Sequence, residues 1–447
     1  MYEKTLFIFR RDLRLFDNLG LQYALSESKV VIPSFIFTPE QIEKNSYRSD
    51  HCLQFMIESL EDLEDQLKEK KAKLYLFYNS PEKVVEKLIQ TEKIDCVVVN
   101  RDYTPYAIKR DKKLGSICKK NKVTFVTVND TLLHAPEETL KSNGKPYTIF
   151  TPYFRNASKL KVEPPQKTAQ NNFYKQEIDF AKNSSLYKKI LPKREPKPIF
   201  KGGRSEGLKI LKKIAGFKKY ATSRDFPELD ATTHLSAYLK FTTVSPREAY
   251  YQIKEHLGKT HELIRALYWR DFFSHIAFFF PHVFKGAFHQ KYDKLKWDKA
   301  STALQKWKQG KTGFPIVDAG MRQMNETGFM HNRVRMIVAS FLTKDLHLNW
   351  RDGEKYFAQM LIDYDPAVNN GNWQWAASTG CDSQPYFRIF NPWNQQEKFD
   401  PDCKYIKQWV PELKDFSAKQ IHKGEATKPM VDHAVAAKEA LKRYRNV

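Results

Sequence analysis

The sequence predicts an α/β domain on a five-stranded parallel sheet, followed by an all-α domain. Three observations carry this. Residues 1–130 alternate short apolar runs with amphipathic stretches. Residues 203–447 keep a helical spacing of apolar side chains and give almost no strand signal. A lysine-rich stretch broken by prolines, 131–202, lies between them. At 447 residues the chain is also longer than one ordinary core supports.

In chain order, the strand candidates are residues 5–9, 30–37, 73–77, 96–99 and 123–128. Between them, 51–71 and 81–91 read as amphipathic helices. Helices between successive strands imply parallel pairing, because a parallel strand needs a crossover. The glycine fingerprint of dinucleotide-binding sheets is missing, so this fold implies no cofactor by itself. In 131–202, Pro164-Pro165, Pro192, Pro196 and Pro198 predict an interdomain connection over the surface, without chemistry of its own. Residues 208–214, 246–256, 263–279, 320–324 and 334–346 have helical periodicity, and the apolar run 276–280 reads as a buried helix face.

Lys plus Arg is 75 and Asp plus Glu 52, a formal charge of +23. Such an excess points first to nucleic acid and second to an anionic membrane surface. A solvated lysine-rich surface is the plainer explanation, and charge alone does not exclude it. Cys52, Cys96, Cys118, Cys381 and Cys403 form no C-x-x-C pair, which argues against a zinc site and fits a reducing compartment. The charged N-terminus is no secretory signal, and no apolar stretch is long enough to span a membrane. A monomer without metal is expected, cytoplasmic, nucleoid-associated in a bacterium or nuclear in a eukaryote. Gly310-Lys311-Thr312 mimics the end of a phosphate loop, but position 305 is Gln where that loop needs Gly.

Three groups of residues could carry chemistry. Asn332-Arg333-Val334-Arg335-Met336, with Asp363, Asp365, Asn369 and Asn370, sets charges and amides among apolar runs. Buried charges need partners, so an Arg–Asp pair that fixes helix packing is the better reading from spacing alone. A pocket for a heteroaromatic ring is the sharper one. All eight tryptophans follow residue 268, as core aromatics or as stacking faces for bases and planar cofactors. Thr232-Thr233-His234-Leu235-Ser236 supplies hydroxyls that would cap a helix or hold a phosphate.

Across nearly the whole chain, longer motifs resemble the photolyase and cryptochrome family. Phe9-Arg10-Arg11-Asp12-Leu13-Arg14 with Asp17-Asn18 is similar to the family's opening strand and loop. Further signatures are Thr312-Gly313-Phe314-Pro315-Ile316-Val317-Asp318-Ala319-Gly320-Met321-Arg322, then Asn332 to Met336 running on to Lys344, Trp350 and Arg351. Asn369-Asn370-Gly371-Asn372-Trp373-Gln374-Trp375-Ala376-Ala377-Ser378-Thr379-Gly380 is the last. The resemblance implies FAD folded into the helical domain, touching Tyr220, Thr232, Thr233, Leu235, Ser236 and Asn332. It pairs Arg335 with Asp363 beside the flavin, with Asp365 nearby and Asn369 at the flavin N5. It implies an electron-transfer chain of Trp373, Trp350 and Trp297, and leaves Trp307, Trp393 and Trp409 structural.

On the substrate side the resemblance implies damaged DNA. Trp269 and Trp375 flank a flipped-out pyrimidine dimer, Asn332 and Met336 touch its base edges, and Arg224, Arg270, Arg333 and Arg388 meet phosphates. Excited reduced FAD donates an electron, the cyclobutane ring opens and the electron returns. A second, antenna chromophore of folate or flavin type is compatible with the N-terminal domain. Two positions depart from the family pattern: Ala266 stands where cyclobutane-dimer photolyases carry Glu, and Thr242 where the family has Gly. The segment His331 to Met336 lacks the His-rich form of the (6-4) photolyases. The competing class is a cryptochrome photoreceptor, for which a charge of +23 has no use.

Overall fold

The computed structural model describes residues 1–191, 199–299 and 302–447, so Pro192, Pro196 and Pro198 lie outside it. Five strands, β1 (Tyr2–Phe9), β2 (Ser28–Phe37), β3 (Tyr75–Tyr78), β4 (Cys96–Asn100) and β5 (Thr124–Val128), pair in the order β3-β2-β1-β4-β5. All four pairings are parallel. Central strands covered on both faces should be continuously apolar. Accordingly Leu6 to Phe9 and Val97 to Val99 are all buried. The amphipathic stretches become the helices Asp50–Glu69 and Pro81–Glu92.

The segment after β5 runs largely over the surface but is pinned to the sheet and the core. The backbone amide of Val31 donates to Asn172 and that of Tyr174 to Val31, while Lys182 donates to Leu76 of the edge strand β3. Phe150, Tyr153 and Phe173 are buried. Prolines and lysines hid these apolar anchors: the segment alternates exposed polar residues with single side chains that enter the core.

Beyond it, helices surround the long Glu262–Phe279 helix, which packs on Phe150–Ala157, Pro246–Leu257 and Pro366–Ala376. A Cβ on Gly371 would come within 2.1 Å of the Phe273 ring, so glycine sets how closely the Pro366–Ala376 helix approaches. The 334–346 helix of the sequence reading is observed as Asn332–Ser340, continued by a π-helical turn over Phe341–Asp345.

The opening motif joins the sheet to the helices. Arg14 meets both Asp130 oxygens at 2.9 and 2.8 Å. Arg247 bonds Asp17 at 2.9 Å and Asp130 at 2.7 Å. Arg14, Asp17, Asp130 and Arg247 are all buried, so each charge depends on the others.

Candidate functional site

The Asn332–Ser340 helix is capped by the His331 ring, which accepts from the Arg333 amide. One turn in, Arg335 grips Asp363 with two parallel bonds of 3.1 and 3.0 Å. Its Nε donates to the Met330 carbonyl at 2.7 Å, which fixes the plane of the fork. Two residues on, Asp365 caps the Pro366–Ala376 helix by accepting from Ala367 and Val368. Its other oxygen pairs with Arg11. Burial pushes the Asp365 carboxyl up, but Arg11, Lys240 and Arg270 outweigh it and hold the group well below the usual carboxylate range. Asp365 thus holds a helix end and a domain contact, and the oxygen that meets Arg11 keeps an acceptor site open.

Asn369 is buried on that same helix. Its amide nitrogen donates to Glu354 Oε1 at 2.8 Å and to the Glu354 carbonyl at 3.1 Å. What remains for a ligand is the amide oxygen, an acceptor. Burial raises the Glu354 carboxyl to about 6, against the opposing pull of Asn369, Tyr47 and Arg351. Glu354 was not singled out from the sequence. Its only signal there is an acid within the apolar spacing of the Trp350–Met360 helix.

The hydroxyl cluster does not cap. The Ser236–Lys240 helix starts from Leu235 without a side-chain cap, and Thr233 Oγ1 takes only a long 3.4 Å bond from the Leu235 amide. Leu235 itself is buried and Ser236 exposed, and Tyr220 starts its own short helix against Arg224. Among the described residues, Thr232 Oγ1, His234 Nδ1, His331 Nε2 and Arg333 Nε are buried with no hydrogen-bond partner. Such atoms are costly unless something polar reaches them. Unpartnered hydroxyl and ring nitrogen atoms here, an amide acceptor at Asn369 and the bidentate Arg335–Asp363 pair are groups that fit a dinucleotide such as FAD.

Trp373 and Trp350 are buried and Trp297 is half-buried. A Cβ on Gly353 would lie 2.1 Å from the Trp373 ring, so Trp373 rests on the Trp350–Met360 helix within a turn of Trp350. Asp298 bridges to Leu348 and donates its amide to His347, which brings the neighbouring Trp297 beside the start of that helix. Trp373 thus packs against the helix that Trp350 begins, and Trp297 lies near the start of that helix with its ring against Tyr444. Trp307 is fully buried, 6.2 Å from Trp373, with its indole N–H on the Val338 carbonyl.

The expected DNA face needs corrections. Arg270 does not reach outward: it donates to the Thr131 and Leu239 carbonyls and pairs with Asp271, locking the 131–134 turn to the helices. Three of its five N–H donors are thereby taken by two carbonyls and a carboxylate, at a half-buried position. Arg333 is held by Asp225 at 2.9 Å and lies over the Phe399 ring. Arg224 pairs with Glu262 at 3.5 Å, both partly exposed. Trp269 has one face covered by Phe150, stacked at 3.6 Å and 7°, so at most its other face meets a base. Asn332 is exposed and its amide meets the half-buried Met336 sulfur at 4.0 Å; Trp375 is half-buried and Arg388 exposed. Ala266 is exposed, and the acid one turn before it, Glu262, is the residue that Arg224 holds.

Comparison with known proteins agrees with this geometry. Residues 5–170 match the DNA photolyase family and residues 263–446 the FAD binding domain of DNA photolyase. The chain is 34% identical to a deoxyribodipyrimidine photo-lyase of Alkalihalophilus pseudofirmus, over 98% of this chain and 97% of that one. Its fold matches an archaeal photolyase from Sulfolobus tokodaii, described with two FAD molecules, at a TM-score of 0.91 and 43% identity, covering 99% of this chain and 100% of that one. A Synechocystis cryptochrome matches at a TM-score of 0.90 and 26% identity, with 99% of each chain covered.

Proposed function

Because the chain belongs to the DNA photolyase family and carries its FAD-binding domain, we propose that it is a deoxyribodipyrimidine photo-lyase, repairing cyclobutane pyrimidine dimers with light. Bound FAD supplies the light-driven electron. Residues of this chain hold the flavin and the lesion and keep water from them. The observation that carries this reading is the Pro366–Ala376 helix. It bears Asn369 buried toward Glu354, Trp373 buried against the Trp350–Met360 helix, and Trp375 half-exposed. A cofactor contact, an electron entry and a base contact are thus one rigid element.

In this reading Asn369 would hold the flavin with the amide oxygen that Glu354 leaves free, an acceptor that would favour a protonated cofactor. Arg335 and Asp363 set the ring edge, and Thr232 and Thr233 meet the diphosphate. Trp297, Trp350 and Trp373 would carry an electron toward the flavin. Asn332, Met336, Trp375 and the open face of Trp269 receive the extruded dimer, which costs less to flip than a well-stacked pair. Exposed Arg388 and the basic surface meet DNA phosphates. The two FAD molecules of the Sulfolobus protein support a flavin-type second chromophore here as well. Among the described residues, no helix is long and apolar enough to cross a membrane.

A cryptochrome reading is the second one, favoured by Ala266, which offers no carboxyl to a dimer. Binding in the dark separates the two. A repair enzyme should bind a duplex with one cyclobutane dimer well above the undamaged duplex, with affinity falling steeply as salt rises. Equal affinity for both duplexes, or a flat salt response, would contradict repair.

A further inference from the structure

Phe150 comes from the segment between the sheet and the helices, where the sequence promised no chemistry, and it opens the Phe150–Ala157 helix. Its side chain is fully buried. The ring lies parallel to that of Trp269, with centroids 3.6 Å apart and planes within 7°. Aromatic pairs left to themselves prefer offset or edge-to-face contacts, with centroids about 4.5–7 Å apart. A closer parallel pair is therefore imposed by what packs around it. Phe272 meets the Phe150 ring edge-on at 5.7 Å, Phe154 stacks at 5.8 Å, and the Arg265 guanidinium lies over it at 4.9 Å.

The backbone of the same residue reaches the other side of the site. Ile149, at the cap position, offers the helix no side-chain bond. Instead the Phe150 amide donates to Asp382 Oδ2 at 3.0 Å. An acid at a helix N-terminus is favoured by the peptide dipoles. Asp382 has a φ of 45°, in the left-handed region, which a non-glycine residue keeps where its surroundings fix it. The amides of Thr379 and Gly380 both return to the Gln374 carbonyl, so the chain from Trp375 to Asp382 turns tightly. One residue of the connecting segment thus links the Trp269 ring to the chain that carries Trp375. A ring backed by another ring has little room to rock, and its open face meets a base without the entropy loss of ordering a free side chain.

We propose that Phe150 is a positioning residue for lesion recognition, holding the plane of Trp269 and fixing its spacing to Trp375 through Asp382. This rests on the reading of the two tryptophans as the contacts of the extruded dimer. The test is dark binding of FAD-loaded protein to a duplex with one cyclobutane thymine dimer and to the same duplex undamaged. The proteins are wild type, Phe150→Leu, Asp382→Ala and Trp269→Leu, and each of the first two variants combined with Trp269→Leu. Phe150→Leu should bind the dimer duplex about three- to tenfold more weakly, the scale of one lost aromatic pair, and the undamaged duplex within about twofold of wild type. Asp382→Ala should lower the preference for the dimer in the same direction. With Trp269 already replaced, either change should add less than about twofold, because the ring being positioned is gone. At saturating dimer, reduced Phe150→Leu protein should repair with the wild-type yield per photon, so that the loss falls on half-saturation and not on the maximal rate. Equal FAD content certifies the fold, and if Phe150→Leu loses FAD the Asp382→Ala pair decides alone. A wild type that prefers the dimer, with the preference kept in the variants or lost equally with and without Trp269, overturns this inference alone. A wild type with no preference removes the lesion reading, and the inference with it.

Discussion

Trp373 sits where the two activities of the site can be pulled apart. It is buried against Gly353 and Phe357, on the same helix as Asn369. If it feeds the flavin, Trp373→Phe should slow photoreduction of oxidised FAD strongly while leaving dimer repair by already reduced protein largely intact. Transient absorption and repair assays on the same sample check this; equal loss of both would contradict the role. Glu354 gives a second test. Its folded carboxyl titrates at about 6 against an ordinary 4.5, so the folded protein holds the proton more tightly than the unfolded chain. Between those values, rising pH therefore lowers stability, and above them the ionised group costs on the order of 2 kcal/mol. Glu354→Gln removes that titration. Urea midpoints should show wild type losing ground to the variant across that window and holding level above it; a constant difference would contradict the assignment.

Elements were legible in the sequence where burial is uniform. The five strands were readable because a sheet covered on both faces leaves continuous apolar runs, as in Val97 to Val99. In the segment after β5 the anchors Phe150, Tyr153 and Phe173 are not legible, because they are isolated among polar neighbours. In the site, the Arg335–Asp363 pair was legible from spacing and resemblance, and the geometry has it bidentate. Arg270 was not, since nothing in a sequence distinguishes a guanidinium that reaches water from one that meets two carbonyls. Thr242 is the instructive departure: its φ is 36°, in the left-handed region that a β-branched residue avoids, and its hydroxyl donates to the Arg11 carbonyl at 2.6 Å. The strain costs about 1–2 kcal/mol and the bond returns about 1 kcal/mol. Thr242→Gly should therefore change stability by less than about 1 kcal/mol, whereas Thr242→Val keeps the strain, loses the bond and should cost about 1–2 kcal/mol. Denaturant midpoints decide it, and a glycine variant less stable than the valine one would contradict the account.

For the whole molecule, the buried group of Arg14, Asp17, Asp130 and Arg247 couples the sheet to the helices that hold the site. Removing one partner leaves uncompensated charge in the interior, so Arg247→Met should destabilise by about 3–5 kcal/mol. A loss below about 1 kcal/mol in guanidinium unfolding would mean that the group is not a structural tie. The same architecture frames the central claim, that one helix presents flavin contact, electron entry and lesion contact together. The most direct test is to illuminate FAD-loaded, reduced protein with an oligonucleotide carrying a single cyclobutane thymine dimer, and to follow recovery of thymine absorbance. Dimer loss in the light and none in the dark is the predicted result. Normal flavin photoreduction with no dimer loss under saturating light would contradict it.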